Sequence, residues 1–237
     1  MIRKKESANL EAEAKILVIE NSSPVLSLAL ISGNRLRELK VSFSDTNKNL
    51  IAAIDYLLSL GKVKIRNLDA LAVGIGPGSF TGLRIACSAA KGINSALGIP
   101  LISLPSFLSL TKSCSFQGKD TAVIFDAKRE LIYGAVYRYR QERAFVKTPV
   151  RLEKIEKFLK RHCGKRCVFT GESVKFKDEI KKIYPEAVIS ENTVFPDAGG
   201  LMPFAGKKYF NKEFTKPNNL EPLYLHPDNC QIRPRKQ

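Results

Sequence analysis

Leu71-Ala-Val-Gly-Ile-Gly-Pro-Gly-Ser-Phe-Thr-Gly-Leu-Arg-Ile85 joins a short apolar run to a long helical pattern, and its reading decides the fold. Four glycines fall between Gly74 and Gly82. Glycine permits positive φ and close backbone approach, so consecutive N–H groups at the start of a helix can point at one ligand. Ser79 and Thr81 can cap that helix or donate to a ligand oxygen. Gly76, Gly78, Ser79, Thr81 and Gly82 are therefore a candidate phosphate- or anion-binding loop, with a plain strand-to-helix turn as the other reading. The stretch lacks the Gly-Lys-Ser/Thr ending of a P-loop and the spacing of a dinucleotide fingerprint.

The helix that follows is expected from about Thr81 to Leu97, closed by Gly98 and Pro100. Gly82, Ala86, Ser88, Ala89, Ala90, Gly92, Ser95 and Ala96 are small, while Leu83, Cys87, Ile93 and Leu97 supply bulk. Small residues at helical spacing let another backbone come close. That neighbour is either the sheet of the same chain or a second subunit.

Upstream, Lys15–Glu20 reads as a buried strand, and Val25–Ile31 and Arg35–Phe43 form a hairpin across Ser32-Gly33-Asn34. Leu50, Ile51, Ile54, Leu57 and Leu58 mark a helix over Asn47–Leu60, stopped by Gly61. Leu68–Ile75 and Leu101–Leu104 are further strands. Downstream the pattern restarts. Thr121–Asp126 is a strand ending in an acid, as Lys15–Glu20 is, and Leu131–Tyr139 follows it. A helix marked by Leu152, Ile155, Phe158 and Leu159, a strand over Cys167–Thr170, and helices over Val174–Tyr184 and Asp197–Phe210 complete the chain. The order implies a duplicated α/β architecture. Residues 15–104 form the first lobe, 105–237 the second with a basic C-terminal tail, and 1–14 a flexible extension.

Of 237 residues, 44% are hydrophobic and 26% charged, which excludes a disordered chain. No apolar run is long enough to cross a bilayer, and Met1–Ala14 lacks the apolar core of a signal peptide. A soluble, cytoplasmic protein without membrane contact is expected. The net charge is +16, with +5 in residues 1–110 and +11 in 111–237. A basic half of that size attracts polyanions, nucleic acid foremost, although 8% aromatics and no Trp argue against a base-stacking platform. The five cysteines, Cys87, Cys114, Cys163, Cys167 and Cys230, are read as free thiols. His162, Cys163 and Cys167 with His226 or Cys230 lack paired zinc-site spacing, so no metal is assigned. Both histidines lie in that region, leaving no His elsewhere as a catalytic base.

At Leu71–Ile85 the sequence resembles the TsaB (YeaZ) family, accessory subunits in bacterial tRNA threonylcarbamoyladenosine synthesis. Ala90-Lys-Gly92, Ile99-Pro-Leu-Ile-Ser103, Asp126-Ala-Lys-Arg129 with Ile132-Tyr133, Pro196-Asp-Ala198 and Pro222-Leu-Tyr224 extend the likeness over about residues 15–225. The resemblance implies a two-lobed fold of the actin-like, sugar-kinase and heat-shock ATPase type (RNase H-like). It implies a non-catalytic partner that pairs through its first lobe with a larger paralogue, TsaD, which transfers threonylcarbamoyl to the tRNA adenosine beside the anticodon. A small ATPase, TsaE, completes the assembly, and tRNA is met through the complex. On this reading Leu50, Ile54, Leu57, Leu83, Cys87, Ala89, Ala90 and Ile93 form the pairing surface, which would serve a homodimer when the chain is alone. The chain itself is assigned no cofactor; ATP or ADP belongs to the complex.

Two positions depart from the family pattern. Glu20-Asn21-Ser22 stands where an Asp-Thr-Ser turn is usual, and Asp45-Thr46-Asn47 where many members carry His-Ser. The longer Glu20 side chain moves its carboxylate away from a metal-bound phosphate, which counts against independent nucleotide hydrolysis. The competing reading is a free-standing ATPase or kinase of the same fold, turning over through Glu20 or Asp126. A metallopeptidase is disfavoured because no His-Glu-x-x-His is present.

Overall fold

The computed structural model describes residues 14–42, 50–113, 119–140 and 143–225. The expectations for the N-terminal extension, Asp45-Thr46-Asn47, Cys114, His226, Cys230 and the basic tail lie outside the described residues.

Two five-stranded sheets share one topology. In the first, β1 (Lys15–Glu20), β2 (Val25–Ser32) and β3 (Arg35–Ser42) form an antiparallel meander. Then β4 (Ala70–Gly74) pairs parallel to β1, and β5 (Leu101–Leu104) parallel to β4. The second repeats this with β6 (Asp120–Lys128), β7 (Leu131–Arg140), β8 (Arg143–Lys154), β9 (Val168–Gly171) and β10 (Val188–Ile189). Both orders run third, second, first, fourth, fifth, so the duplication visible as a pattern in the sequence is a duplication of fold.

The continuous apolar run Ile16-Leu-Val-Ile19 reflects burial on both sheet faces. Leu17 and Ile19 point to one side with Leu28, Leu30, Leu71 and Val73, where α1 (Leu50–Gly61) and α2 (Phe80–Leu97) cover them. Ile16 and Val18 point to the other, where α6 (Ala198–Phe210) lays down Leu201, Met202 and Ala205. Between α2 and α6 lie α3 (Leu110–Ser113), α4 (Ile155–His162) and α5 (Lys177–Ile183). In the second sheet Phe158, Leu159 and Ile180 of α4 and α5 cover Ala122, Ile124 and Phe169. Phe107 and Leu110 close the opposite face over Val123, Ala135 and Tyr137.

Three expectations need correction. The lobes are not divided by a single cut near residue 105. Although α6 follows the second sheet in the chain, it packs on the first, where its apolar face finds Ile16, Ala70 and Ile102. Beyond α6, Thr215 N–H donates to Leu101 O at 2.7 Å and Leu220 is fully buried in the first core. Leu152 belongs to β8, and the helix starts only at Ile155. The span 174–184 opens as a 3-10 turn over Ser173–Phe176 before α5.

Candidate functional site

The turn after β1 and the glycine loop after β4 meet at the end of the first sheet. Glu20 closes β1 with its side chain fully buried. Its Oε1 accepts from Ser22 N–H at 2.7 Å, while Oε2, Asn21 Oδ1 and Ser22 Oγ are buried with no protein partner among the described residues. Burial pushes the Glu20 carboxyl above the usual carboxylate range, and the Ser22 N–H hydrogen bond offsets only part of that. The side chain lies over Gly74, where any Cβ would strike Glu20 Oε2 and Ser106 Oγ.

Three backbone donors of the loop are engaged inside the chain. Ser79 N–H donates to Ser22 O at 2.7 Å, and Gly76 N–H to Ser106 Oγ at 2.9 Å. Gly82 N–H donates to Ser79 Oγ at 3.3 Å, making Ser79 the N-cap of α2. Asn21 Nδ2 donates back to Gly82 O at 3.0 Å. A Cβ on Gly78 would meet Ser22 O, and one on Gly82 would meet Asn21 O, both closer than the 3.0 Å that real Cβ atoms keep. These glycines therefore admit the chain's own β1–β2 turn. The candidate anion loop of Gly76, Gly78, Ser79, Thr81 and Gly82 is brought together, with the β1–β2 turn seated against Gly78 and Gly82. The N–H groups of Gly76, Ser79 and Gly82 are thus engaged within the chain, and burial of Glu20 disfavours the ionised carboxylate that a metal ligand needs.

The proposed pairing residues divide. Leu50, Ile54, Leu57, Leu83, Cys87 and Ala90 are at most 4% exposed; Leu83 lies beside Gly76 and the other five pack on their own sheet. They cannot be offered to a partner. Ala89 and Ile93 are half-buried at the edge of that core. The apolar residues that α1 and α2 show to solvent are Ile51, Tyr56, Leu60, Phe80 and Leu97, between 43% and 63% exposed. Sequence periodicity found both helices but chose the inward face, because an apolar stripe looks the same whether it covers a sheet or a subunit. At the start of α2, Arg84 stacks over Phe80, 3.7 Å from the ring centroid, and its Nε donates to Tyr224 Oη at 3.0 Å. Leu223 N–H donates to Ile75 O at 2.8 Å, so the segment after Leu220 straps the glycine loop.

Asp126, the counterpart of Glu20 in the second sheet, remains near the surface. Partial burial pushes its carboxyl up, but the Lys128 ammonium, 2.7 Å away, and Lys128 N–H bring it below the ordinary range. His162 is engaged with Glu153 Oε1 at 3.0 Å. Among the described residues no group of three metal-ligating side chains occurs, and no helix is long and apolar enough to cross a membrane.

Two lobes, each built on a mixed five-stranded sheet of the same strand order, define a duplicated α/β class. The family model described as "TsaD: tRNA N6-adenosine threonylcarbamoyltransferase" matches residues 42–209. Similar proteins include the tRNA threonylcarbamoyladenosine biosynthesis protein TsaB of Buchnera aphidicola, 26% identical over 88% of this chain and 97% of that protein. The protein of the same name from Escherichia coli is 21% identical over 89% of this chain and 94% of its own. The solved YeaZ structure from Pseudomonas aeruginosa superposes with a TM-score of 0.78 at 21% identity, covering 89% of this chain and all of that one. The chain belongs to the TsaB (YeaZ) branch of this threonylcarbamoyltransferase family.

Proposed function

We propose that this protein is a partner subunit in tRNA threonylcarbamoyladenosine biosynthesis, pairing with a TsaD-like paralogue that carries out the transfer to tRNA. The observation that carries the reading is the seating of the β1–β2 turn against the glycine loop. There the turn and the loop satisfy each other's backbone groups, as Ser79 N–H does with Ser22 O and Asn21 Nδ2 with Gly82 O. The full-length likeness to proteins named for this biosynthesis supplies the pathway. Pairing would use the outer faces of α1 and α2, with Ile51, Tyr56 and Leu60 exposed and Ala89 and Ile93 at the margin. A TsaE-like ATPase would complete the cytoplasmic assembly, and the same face would support a homodimer in the partner's absence.

The test is reconstitution. This chain alone should neither hydrolyse ATP appreciably nor modify tRNA, whereas adding it to the TsaD-like paralogue should restore modification. Brisk ATP turnover by the isolated chain, lost on replacing Glu20 or Asp126, would instead establish the free-standing ATPase.

A further inference from the structure

The exit from α4 carries chemistry that the pairing role does not use. Lys160-Arg-His-Cys-Gly-Lys-Arg-Cys167 turns from the helix into β9, and Gly164 O accepts from Cys167 N–H at 3.0 Å to close the turn. That turn brings the Cys163 and Cys167 thiols into hydrogen-bond contact. Gly164 N–H also donates to Cys167 Sγ at 3.3 Å. Cys163 is part-exposed, whereas Cys167 is only 4% exposed. The Tyr184 hydroxyl holds the backbone beneath them, donating to Cys163 O at 2.8 Å and Leu159 O at 3.0 Å.

We propose that Cys163 and Cys167 are a redox-active pair, a site of reversible disulfide formation by exchange with a small anionic disulfide of the glutathione type. Lys160, Arg161, Lys165 and Arg166 are exposed around the turn, a positive rim suited to an oxidant bearing carboxylates. The shared thiol hydrogen bond, aided by Gly164 N–H and opposed by burial, holds Cys167 below the ordinary thiol range at about 7. The pair thus yields one proton readily, and the remaining hydrogen bridges both sulfurs. The shared hydrogen bond and burial hold the Cys163 thiol above the ordinary range, so in the first step the bridging proton passes to Cys167 as the part-exposed Cys163 attacks one sulfur of the oxidant. One glutathione leaves as thiolate and takes up the proton the pair had released. In the second, Cys167 attacks the Cys163 sulfur of the mixed disulfide as thiolate, and the expelled second glutathione takes up its proton. Two protein thiols are oxidised and one disulfide is reduced to two thiols. His162 takes no part, since its ring faces Glu153.

The experiment exposes the full chain to glutathione disulfide, quenches with acid, blocks remaining thiols and digests with trypsin. Cleavage after Arg161, Lys165, Arg166 and Lys175 separates residues 162–165 from 167–175. In the oxidised protein these two peptides should emerge joined, lighter by two hydrogens, and separate on reduction. Because the turn holds Cys167 Sγ 3.3 Å from Gly164 N, next in the chain to Cys163, the glutathione adduct on Cys163 should be about tenfold shorter-lived in the folded chain than in urea. Cys167→Ser should trap that adduct, and Cys163→Ser should leave the buried Cys167 unmodified while the fold persists. A long-lived adduct on wild-type Cys163, or both peptides recovered singly with blocked thiols after oxidant exposure, would overturn the assignment.

Discussion

Gly82→Ala and Gly92→Ala make the same change in the same helix and should move stability in opposite directions. Helix propensity alone favours Ala over Gly by up to about 1 kcal/mol at either position. At Gly92 nothing lies within 4 Å of the added Cβ, so the propensity gain should appear nearly undiminished. At Gly82 the Cβ would run into Asn21 O, a backbone atom that cannot swing aside. Relief requires parting the β1–β2 turn from α2. That strains or breaks Asn21 Nδ2 to Gly82 O at 3.0 Å and Ser79 N–H to Ser22 O at 2.7 Å. Disrupting these two buried hydrogen bonds, at about 1–3 kcal/mol each, outweighs the propensity gain. Gly82→Ala should cost about 2–4 kcal/mol, and Gly92→Ala should add up to about 1. For a chain of this size each kcal/mol moves Tm by about 2–4 °C. Urea midpoints and melting temperatures of the two variants against wild type provide the assay. If Gly82→Ala melts at or above the wild-type temperature, the β1–β2 turn is not seated on α2, and the argument for a filled cradle fails with it.

Glu20 predicts a pH signature. Its folded-state pKa stands above the unfolded reference of 4.5, so the folded state binds the proton more tightly. The associated stability is present in full below that reference and is lost as pH rises through the folded-state pKa, at about 1.4 kcal/mol for each pH unit separating the two. Glu20→Gln should therefore gain most over wild type near pH 8 and least near pH 5; parallel melting curves across that range would contradict it. Ile51→Arg, at a site 63% exposed, should leave the fold intact and weaken pairing with the paralogue by tenfold or more, about 1.4 kcal/mol, whereas Leu57→Arg, at 0% exposure, should fail to fold. Co-elution and circular dichroism separate the two outcomes. Asp197 Oδ1 accepts from Gly200 N–H at 2.7 Å as the N-cap of α6, so Asp197→Ala should cost about 1 kcal/mol in thermal or urea unfolding, and Asp197→Asn much less.

The sequence made the order of elements legible wherever burial imposes a period. Ile16-Leu-Val-Ile19 and Leu71-Ala-Val73 can only be two-sided strands, and the Leu50–Leu58 spacing can only be a helix face. β8 escaped because Pro149 interrupts it and its charged residues break the alternation. It lies at the sheet edge, where a missing N–H is tolerated, and its register slips between Val136 and Tyr137 of β7. The docking of α6 on the first sheet was invisible, since a helix pattern carries no label for the sheet it will cover. The glycine loop was found as a feature but given the wrong neighbour. Asn21 and Gly82 are 61 positions apart, and no local pattern announces that one backbone rests on the other.

Two strand-end acids occupying equivalent places in a duplicated fold would be expected to share a task, yet their surroundings have driven them apart. Glu20 lies against Gly74 and Ser106, where burial pushes its carboxyl above the usual range, while the Lys128 ammonium and N–H hold Asp126 below it. A phosphate-bound metal needs an open carboxylate facing free backbone donors. The first lobe offers a buried acid whose ionised form is disfavoured, with Gly76, Ser79 and Gly82 N–H already bonded, and the second offers an acid already paired. Opening the first strand end would mean undoing the Ser79–Ser22 bond that seats one turn on the other, and the second would mean releasing Asp126 from the exposed Lys128. Ile51 and Leu60 on the outer face of α1 lie outside these contacts, so substitution there is expected to leave the core undisturbed.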